Sequence, residues 1–471
     1  MTTVLYDDLL ARLKPAEQEH LLAFWHELNE PARQSLAGQI DQIDLALVAR
    51  LTRGGKAHQA WADLARRATP PPAIRLVDRA SGSSATTPRK RGEQALAAGQ
   101  VGLIIVAGGQ GTRLGFPHPK GKFPIGPISQ ASLFQILLEK TLARGRSAGP
   151  AIPVYLMTSP ATHDETLGFL EENRYFGLAP GDVTVFSQGT MPAVDARTHK
   201  LLLADRSSLC LSPDGHGGLL AALAQSGSLA DARRRGVRYL FYVQVDNPLV
   251  SIGDPEFLGY HIERRSEVST QVVAKRTLRD KVGNVVTIDG KLQILEYSDL
   301  NPLPDEIVDR RAADGSPVFW AGNIAVHIFD LAFLEQVADS AEGLPFHFAH
   351  KAVPSIDCAS GRPVEPEKPN ALKFERFIFD LLPAAERAIV YEVDAETAFA
   401  PVKNAPGESS DTPETVQRQM ISLATQWLSE AGAKVDPGVP VEISPLLAQD
   451  AAELARRIPA ALHVTQPRYF C

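Results

Sequence analysis

A glycine-rich stretch and two cations follow the first strongly apolar run of the chain. The run Val101–Val106 contains almost only Val, Leu and Ile, and it leads into the stretch 108–111, with Arg113 and Lys120 shortly after. Because glycines have no side chains, their backbone N–H groups can approach a ligand closely. A guanidinium and an ammonium add positive charge that suits phosphate oxygens. These residue types therefore predict a cradle for a polyphosphate.

Two familiar glycine motifs do not fit this loop. A Walker A loop needs Lys and then Ser or Thr after its last glycine, and no such pair is present. A dinucleotide fingerprint needs G-x-G-x-x-G, whereas Gly109, Gly111 and Gly115 give a spacing one residue too long. The spacing disfavours a nicotinamide-dependent dehydrogenase, which stays open as an alternative. The structural alternative is a tight strand-to-helix turn without a ligand.

The elements around the loop predict a sheet that positions it. Apolar runs without alternation are typical of strands buried on both faces, hence of a parallel sheet wrapped by helices. Such runs occur at 101–106, 154–157, 183–186 and 239–245, and less regular ones at 268–275, 285–288 and 324–329. The fold class predicted is α/β, Rossmann-like, with a mostly parallel but mixed sheet. Ligands of such sheets bind at the carboxyl ends of the strands, where this loop lies.

The pattern along the chain predicts four regions. Residues 1–67 form an N-terminal helical region, for which packing is favoured over partner binding. Residues 68–95 are rich in Pro, Ser and Gly and predict a linker or strap. The main domain covers 96–395, and 396–471 forms a small C-terminal subdomain.

Composition excludes several classes of protein. The 471 residues carry 48 Lys and Arg against 55 Asp and Glu, a net charge of −7, which argues against a nucleic-acid coat. Three distant cysteines exclude a disulfide framework and fit a reducing compartment. No apolar run approaches the ~20 residues of a membrane span. We expect a soluble cytoplasmic enzyme without nucleic-acid or membrane partners; its oligomeric state stays open.

The loop also belongs to a longer recognisable signature. Leu-Ile-Ile-Val-Ala-Gly-Gly-Gln-Gly-Thr-Arg-Leu-Gly at 103–115, with Pro-Lys-Gly at 119–121, resembles the UTP-dependent sugar-1-phosphate uridylyltransferases. Within them it most resembles the eukaryotic-type UDP-N-acetylhexosamine pyrophosphorylases. Matching motifs follow in order at 187–193, 213–218, 245–248, 295–298, 322–324, 372–375 and 401–404. The resemblance covers nearly the whole chain.

This resemblance implies an activity and a set of roles. The enzyme would form a UDP-sugar and pyrophosphate from UTP and a sugar 1-phosphate, first of all N-acetylglucosamine 1-phosphate, with Mg²⁺. The main domain would be the nucleotidyltransferase domain. The implied catalytic cations are Arg113, Lys120 and Lys403. The implied nucleotide contacts are Val106, Ala107, Gly108, Gly109, Gln188, Gly215, Asp246 and Lys373, and the implied sugar contacts are His216, Glu296, Tyr297 and Asn323.

Asp246 has independent support, because it ends the apolar run 239–245 and so places a carboxylate at a strand terminus. Mg²⁺ typically binds one or two carboxylates plus substrate phosphates, which makes Asp246 the leading metal ligand. The alternative, an aspartate that caps the following turn, can hold at the same time.

One position departs from the resembled family. His216 stands where the acetylhexosamine enzymes usually have Asn, and the UDP-glucose enzymes have Gly-His-Gly there. Glucose 1-phosphate, or a broad set of sugar 1-phosphates, is therefore the alternative acceptor. A catalytically inactive UDP-sugar-binding regulator is the alternative from a different class, and the intact Arg113 and Lys120 argue against it.

Overall fold

The computed structural model describes residues 2–53, 57–80, 86–340, 343–459 and 461–471. The chain divides into two compact units, each assembled from three separate segments. The first unit consists of Met1–Ala60, Gly189–Leu219 and Leu344–Ile378. The second unit consists of Trp61–Gln188, Leu220–Gly343 and Phe379–Cys471.

A ten-stranded sheet forms the centre of the second unit. In chain order its strands are Ala73–Ile74, Val101–Val106, Val154–Thr158, Val183–Ser187, Tyr239–Gln244, Val268–Ala274, Asn284–Ile288, Lys291–Leu295, Ala321–Asp330 and Ala388–Glu392. Ala321–Asp330 runs antiparallel between two sets of parallel strands. The predicted α/β class with a mostly parallel, mixed sheet is confirmed. Both faces are buried: Val101–Val106 is buried along its length except at Val106, which is half-buried.

Helices cover this sheet. The helices of the second unit are Ala57–Arg67, which begins in the first unit, Leu76–Ala80, Thr86–Ala97, Leu133–Ala148, His163–Glu172, Leu219–Gln225, Ser228–Arg234, Pro255–Glu263, Tyr297–Leu300, Asp305–Val308, Leu331–Ala338, Ala395–Ala398, Pro413–Glu430 and Ala451–Ala455. Leu133–Ala148 starts at the N-cap Ser132, whose side chain accepts from the Gln135 N–H, and its face buries Phe134 and Leu137.

The segment 68–95, expected as a linker or strap, contains regular structure. Ala73–Ile74 is an edge strand parallel to Ala388–Glu392, and Thr86–Ala97 packs as a helix against Pro255–Glu263. Residues 81–85 of the expected strap lie outside the described residues.

The C-terminal part of the second unit has its own small core. Helix Pro413–Glu430 packs there against two short parallel pairs, Lys434–Val435 with His463–Val464 and Val441–Ile443 with Arg468–Phe470. Thr412 begins the helix with a capping box, in which its side chain and that of Thr415 each accept the other residue's N–H.

The first unit combines the N-terminal helices with short strands. Its helices are Thr2–Leu13, Glu30–Asp41 and Leu45–Arg53. Its strands are Thr190–Pro192, Val194–Asp195, Leu203–Asp205, Ser208–Leu209, Leu211–Pro213, Phe346–Lys351, Ser355–Ile356, Pro363–Val364 and Ala371–Arg376. Their shared core includes Leu13, Trp25, Leu203 and Phe374, so all three segments of this unit contribute to it. Among the described residues, no helix has both the length and the apolar character that a bilayer crossing requires.

Candidate active site

The register of the sheet brings several candidate residues to one edge. Strands Val101–Val106 and Tyr239–Gln244 are parallel and end side by side, with Val106 opposite Gln244. Strands Val154–Thr158 and Val183–Ser187 also end together, with Thr158 opposite Ser187. The chain therefore leaves the sheet at this edge into the glycine loop, into Gln188 and into Asp246. This is the carboxyl edge at which open α/β sheets bind ligands.

The glycine loop presents backbone amides at this edge. Ala107 still donates to the Met157 carbonyl at 2.7 Å, but no described residue accepts a hydrogen bond from the N–H groups of Gly108, Gly109 or Gln110. Ser159 fixes the loop, because its hydroxyl donates to the Gly108 carbonyl at 2.8 Å. These N–H groups are available to an anionic or carbonyl ligand.

Gln188 packs against the same loop. A Cβ atom on Gly108 would lie 3.3 Å from the Gln188 Nε2, so glycine at 108 lets the amide side chain approach the backbone. The Gln188 side chain is buried, at 7% exposure, and its backbone N–H donates to the Thr158 carbonyl at 2.9 Å. An amide side chain held in this way can donate and accept, as recognition of a uracil edge requires.

Lys120 and Asp246 form an ion pair at the end of the central strands. The Lys120 Nζ donates to the Asp246 Oδ2 at 2.9 Å, with side chains only 16% and 11% exposed. Burial by itself would raise the pKa of Asp246, but the charges of Lys120 and Lys403 outweigh burial and hold this pKa below its ordinary value. Asp246 is thus an ionised, buried carboxylate.

Lys403 is tied to the same place through the backbone. The N–H of Val402 donates to the Asp246 carbonyl at 2.9 Å, and the N–H of Lys403 donates to the Asp411 carbonyl at 2.8 Å. Burial raises the pKa of Asp411, an effect that the Lys403 charge opposes and the Asp246 charge reinforces. Two lysines and two carboxylates therefore interact at this edge of the sheet.

Arg113 lies on a short 3-10 turn, Thr112–Leu114, that follows the glycine loop directly. The Arg113 side chain is exposed, and no described residue makes a salt bridge or hydrogen bond with its guanidinium. A guanidinium with five donors on the turn that follows the glycine loop can bind a multiply charged anion.

The expected sugar contacts of the second unit gather around Gly283. The Asn323 N–H donates to the Gly283 carbonyl at 2.8 Å, and the Glu296 carboxylate lies on the other side, with its Oε1 2.9 Å from where a Gly283 Cβ would be. Tyr297 begins the helix Tyr297–Leu300 directly after Glu296. The antiparallel register, with Tyr239 opposite Asp330, puts the start of strand Ala321–Asp330, and so Asn323, at the carboxyl edge.

The remaining candidates lie in the first unit. Gly215 has φ +84°, and a Cβ there would lie 2.4 Å from the Arg376 carbonyl oxygen, so only glycine fits. His216 follows, and its Nδ1 accepts from the Ile378 N–H at 3.1 Å, which leaves the ring proton on Nε2. Burial, and then the nearby His347, lower the pKa of His216 to about 4. His216 is thus a neutral donor, as an Asn amide would be.

Lys373 lies in the middle of strand Ala371–Arg376, opposite Ala349 of the neighbouring strand. Nearby, burial raises the pKa of Asp214 to about 6 against the opposing charge of Arg376. The Arg376 N–H also donates to the Asp214 carbonyl at 2.7 Å. These contacts hold the loop 214–216 against one end of the strand.

Sequence reasoning assigned no role to three residues of this edge. Ser159 fixes the glycine loop, and Asp411 adds a second carboxylate beside Lys403. The Asn247 amide joins two segments, since its Nδ2 donates to the Ala398 carbonyl at 2.9 Å and its Oδ1 accepts from the Ala400 N–H at 3.1 Å. Asn247 could have been suspected from its place after Asp246, whereas Ser159 and Asp411 give no sequence signal.

Comparison with known proteins gives independent information on the family of this chain. The family model described as UTP–glucose-1-phosphate uridylyltransferase matches residues 57–422. UDP-N-acetylglucosamine diphosphorylase 2 of Arabidopsis thaliana is 36% identical over 93% of this chain and 89% of its own length. UDP-N-acetylglucosamine pyrophosphorylase of Saccharomyces cerevisiae is 38% identical over 78% of this chain and 77% of its own. The uridine diphosphate N-acetylglucosamine pyrophosphorylase of Trypanosoma brucei superimposes with a TM-score of 0.82 at 27% identity, covering 98% of both chains.

Proposed function

The chain belongs to the UTP–glucose-1-phosphate uridylyltransferase family, and from that membership we propose that it forms UDP-N-acetylglucosamine and pyrophosphate from UTP and N-acetylglucosamine 1-phosphate. It is a nucleotidyltransferase, which leaves no support for the dehydrogenase alternative. The observation that carries the proposal is the cluster of Lys120, Asp246 and Lys403 at the carboxyl edge of the sheet, beside loop amides that donate to no described residue.

The reaction needs no general base from the protein. An oxygen of the sugar 1-phosphate attacks the α-phosphorus of UTP, a P–O bond forms, and the bond to the pyrophosphate leaving group breaks. The second pKa of a phosphate monoester is about 6, so the attacking oxygen is already ionised near pH 7. The protein must bring two anions together in line and neutralise the charge that accumulates between them.

The cations of the site match this task. Lys120 is held by Asp246. The backbone of Lys403 is held by its contact to Asp411 and by the contact of the preceding Val402 to Asp246, so both lysines need little rearrangement before reaction. Arg113, with no protein partner among the described residues, would close on the phosphates from the exposed side. The loop amides and Gln188 would bind the nucleotide, while Glu296, Tyr297 and Asn323 would bind the sugar hydroxyls.

The residues present fit a magnesium ion bound mainly through substrate phosphates. Asp246 is ionised and buried, and Asp411 interacts with it electrostatically, whereas the described residues contain no cluster of three or more metal-binding side chains. One or two carboxylates with phosphates and water is the usual Mg²⁺ arrangement. Asp246 would hold the ion, which would neutralise phosphate charge when bound.

The three cysteines are free thiols, which is consistent with a cytoplasmic enzyme.

Pyrophosphate release from UTP tests the proposal, using Mg²⁺ with N-acetylglucosamine 1-phosphate, glucose 1-phosphate or N-acetylgalactosamine 1-phosphate. We expect the highest kcat/KM with N-acetylglucosamine 1-phosphate. A preference for glucose 1-phosphate would replace the proposed acceptor by the alternative. Binding of a UDP-sugar without turnover of any acceptor would indicate a regulator.

Metal dependence is tested separately. EDTA should abolish turnover, and Asp246→Asn should raise the Mg²⁺ concentration for half-maximal rate by about tenfold or more. Asp289→Asn, at a surface carboxylate that pairs with Arg67, is the matched control. An unchanged Mg²⁺ requirement in Asp246→Asn would remove this residue from the metal site.

A further inference from the structure

The second unit contains a cavity that the proposed reaction does not use. It has a volume of about 380 Å³, within the range of small-molecule sites. Its walls come from the helices Leu133–Ala148 and Pro413–Glu430, from the segment after Asp246 and from the C-terminal part of the unit.

Part of the lining of this cavity is apolar and includes an aromatic ring. Ile136, Leu249, Met420, Leu423 and Trp427 line it. An apolar wall of this kind favours a ligand with a hydrophobic, ring-sized body.

The lining also includes two buried carboxylates. Glu442, 6% exposed, accepts from the N–H groups of Ile128 and Ser129 and from the Ser129 hydroxyl. Glu139, 8% exposed, accepts from the Gln135 amide through Oε1, but its buried Oε2 has no hydrogen-bond partner among the described residues. Burial raises the pKa of Glu139, and the charge of Glu442 adds to this effect. A hydrogen-bond donor, above all a cationic one, is what the Glu139 carboxylate lacks.

The basic residues of the lining do not supply that donor. The Lys140 ammonium donates to the Pro248 and Val250 carbonyls at 2.6 and 3.0 Å, and Arg79 pairs with Glu256. Over the whole lining, five acidic residues face three basic ones: Glu139, Asp254, Glu256, Asp394 and Glu442 against Arg79, Arg89 and Lys140. The lining therefore has an excess of acidic residues, and Glu139 Oε2 is an acceptor that no described residue satisfies, which favours a positively charged ligand.

Two walls of the cavity continue directly into the reaction site. Pro248 lies two residues after Asp246, and the lining residues Asp394, Thr397 and Ala398 precede Lys403. Asn247 binds the two segments together through Ala398 and Ala400. A ligand that restrains these segments would also restrain the carboxylate and the lysine they carry.

We propose that this cavity is a regulatory site for a small amphipathic amine, an apolar ring with a protonated amino group, whose binding changes turnover at the phosphate site. The amine would donate to Glu139 while the ring packs against Met420 and Trp427. Coupling would run through the segments that hold Asp246 and Lys403, and it would be reciprocal for binding.

Titration of the full chain with tryptamine tests binding independently of the uridylyltransferase activity. Calorimetry should show saturable one-to-one binding of tryptamine that is at least about tenfold tighter than that of indole-3-propionate, its anionic counterpart. Glu139→Gln should remove this preference. Absence of saturable tryptamine binding, or equal binding of the anion, would overturn the proposal whatever the enzyme's substrate is.

Cavity-filling variants locate the site. Met420→Trp should weaken tryptamine binding by about tenfold or more, and Leu423→Phe provides a second filling variant if the first one folds poorly. Ser422→Trp, on the exposed side of the same helix, is the matched control and should bind like wild type. Unchanged binding in a folded filling variant would place tryptamine elsewhere and refute this site.

Turnover measured with saturating tryptamine completes the test. We expect kcat to change by at least about twofold in wild type and in Ser422→Trp, and to stay constant in Met420→Trp. Binding without any change in kcat or KM would contradict regulation.

Discussion

Two lysines that follow the glycine loop, Lys120 and Lys122, have different ion-pair partners, and replacing each of them should therefore affect kcat differently. Lys120 is paired with the buried Asp246, whereas the neighbouring Lys122 pairs at the surface with Glu165. Lys120→Ala should lower kcat by about 10²–10³, because it removes a fixed charge at the reacting phosphates. Lys122→Ala is the control and should stay within about tenfold of wild type. Steady-state pyrophosphate release measures both, and equal effects would refute the role of Lys120.

Replacing Arg113 with alanine should lower the activity but leave the stability of the fold unchanged. Its guanidinium is exposed and unpaired within the described residues, so Arg113→Ala should change the free energy of unfolding by less than about 0.5 kcal/mol. The same change should lower kcat by about 10² or more, because charge stabilisation is lost only in the reaction. Urea unfolding and turnover are measured on one preparation. Activity near wild type would show that Arg113 does not contact the transferred phosphates.

His216 predicts a pH effect whose sign follows from its low pKa. The folded-state pKa is about 4, against an ordinary value near 6.5 for the unfolded chain. The neutral ring therefore contributes stability above pH 6.5, which is lost as the pH falls towards 4. His216→Asn has no ring to protonate and should lose less stability over this interval, by about 1 kcal/mol, since partial exposure reduces the full effect. The raised pKa of Asp214 acts in both proteins and cancels in the comparison.

Urea unfolding at pH 6.5 and at pH 4.5 measures this difference. Parallel loss of stability in wild type and His216→Asn would contradict a buried neutral histidine. The same variant tests acceptor choice, because a shift of kcat/KM between glucose 1-phosphate and N-acetylglucosamine 1-phosphate would assign sugar specificity to this position.

At the level of elements, one helix crossing depends on two glycines. A Cβ on Gly92 would lie 1.8 Å from the Pro255 carbonyl oxygen, and one on Gly259 would lie 1.7 Å from that of Pro88. Gly92→Ala should therefore force the helices Thr86–Ala97 and Pro255–Glu263 apart and lower the free energy of unfolding by about 1–3 kcal/mol. Gly38→Ala is the control, because nothing lies within 4 Å of its added methyl, and it should be neutral or stabilising. Similar urea midpoints for the two variants would contradict the close crossing.

The same elements show what sequence patterns can and cannot predict. Val101–Val106 was predictable as a buried strand because five of its six residues are Val, Leu or Ile, without polar alternation, which fits a sheet covered on both faces. The helix Thr86–Ala97 was not predictable, because Pro88 and Gly92 are typical of loops. The reason for a glycine at position 92 appears only in the structure, where the helix packs closely against Pro255–Glu263. Asp411 was not predicted for a related reason. It follows a polar stretch without periodicity, and its position beside Lys403 becomes visible only in the structure, where its carbonyl accepts from the Lys403 N–H.

At the scale of the whole molecule, neither compact unit is a continuous stretch of the chain, because each one combines three separate segments. The first unit takes its core from Trp25 of the N-terminal helical region, from Leu203 and from Phe374, which are separated by well over a hundred residues in sequence. Such non-local contacts must form together, so the N-terminal helices act as part of a core and not as an appended segment.

Trp25→Ala tests that role of the N-terminal helices. The Trp25 side chain is 1% exposed, and its loss would leave a cavity in the core that it shares with Leu13, Leu21 and Leu203. The free energy of unfolding should fall by about 3–5 kcal/mol, as large aromatic deletions in cores do. Leu211→Ala is the control within the same unit, because that side chain is 37% exposed and its truncation should cost less than about 1 kcal/mol. If circular dichroism in urea gave the two variants equal midpoints, Trp25 would not contribute to the stability of this core as its burial predicts.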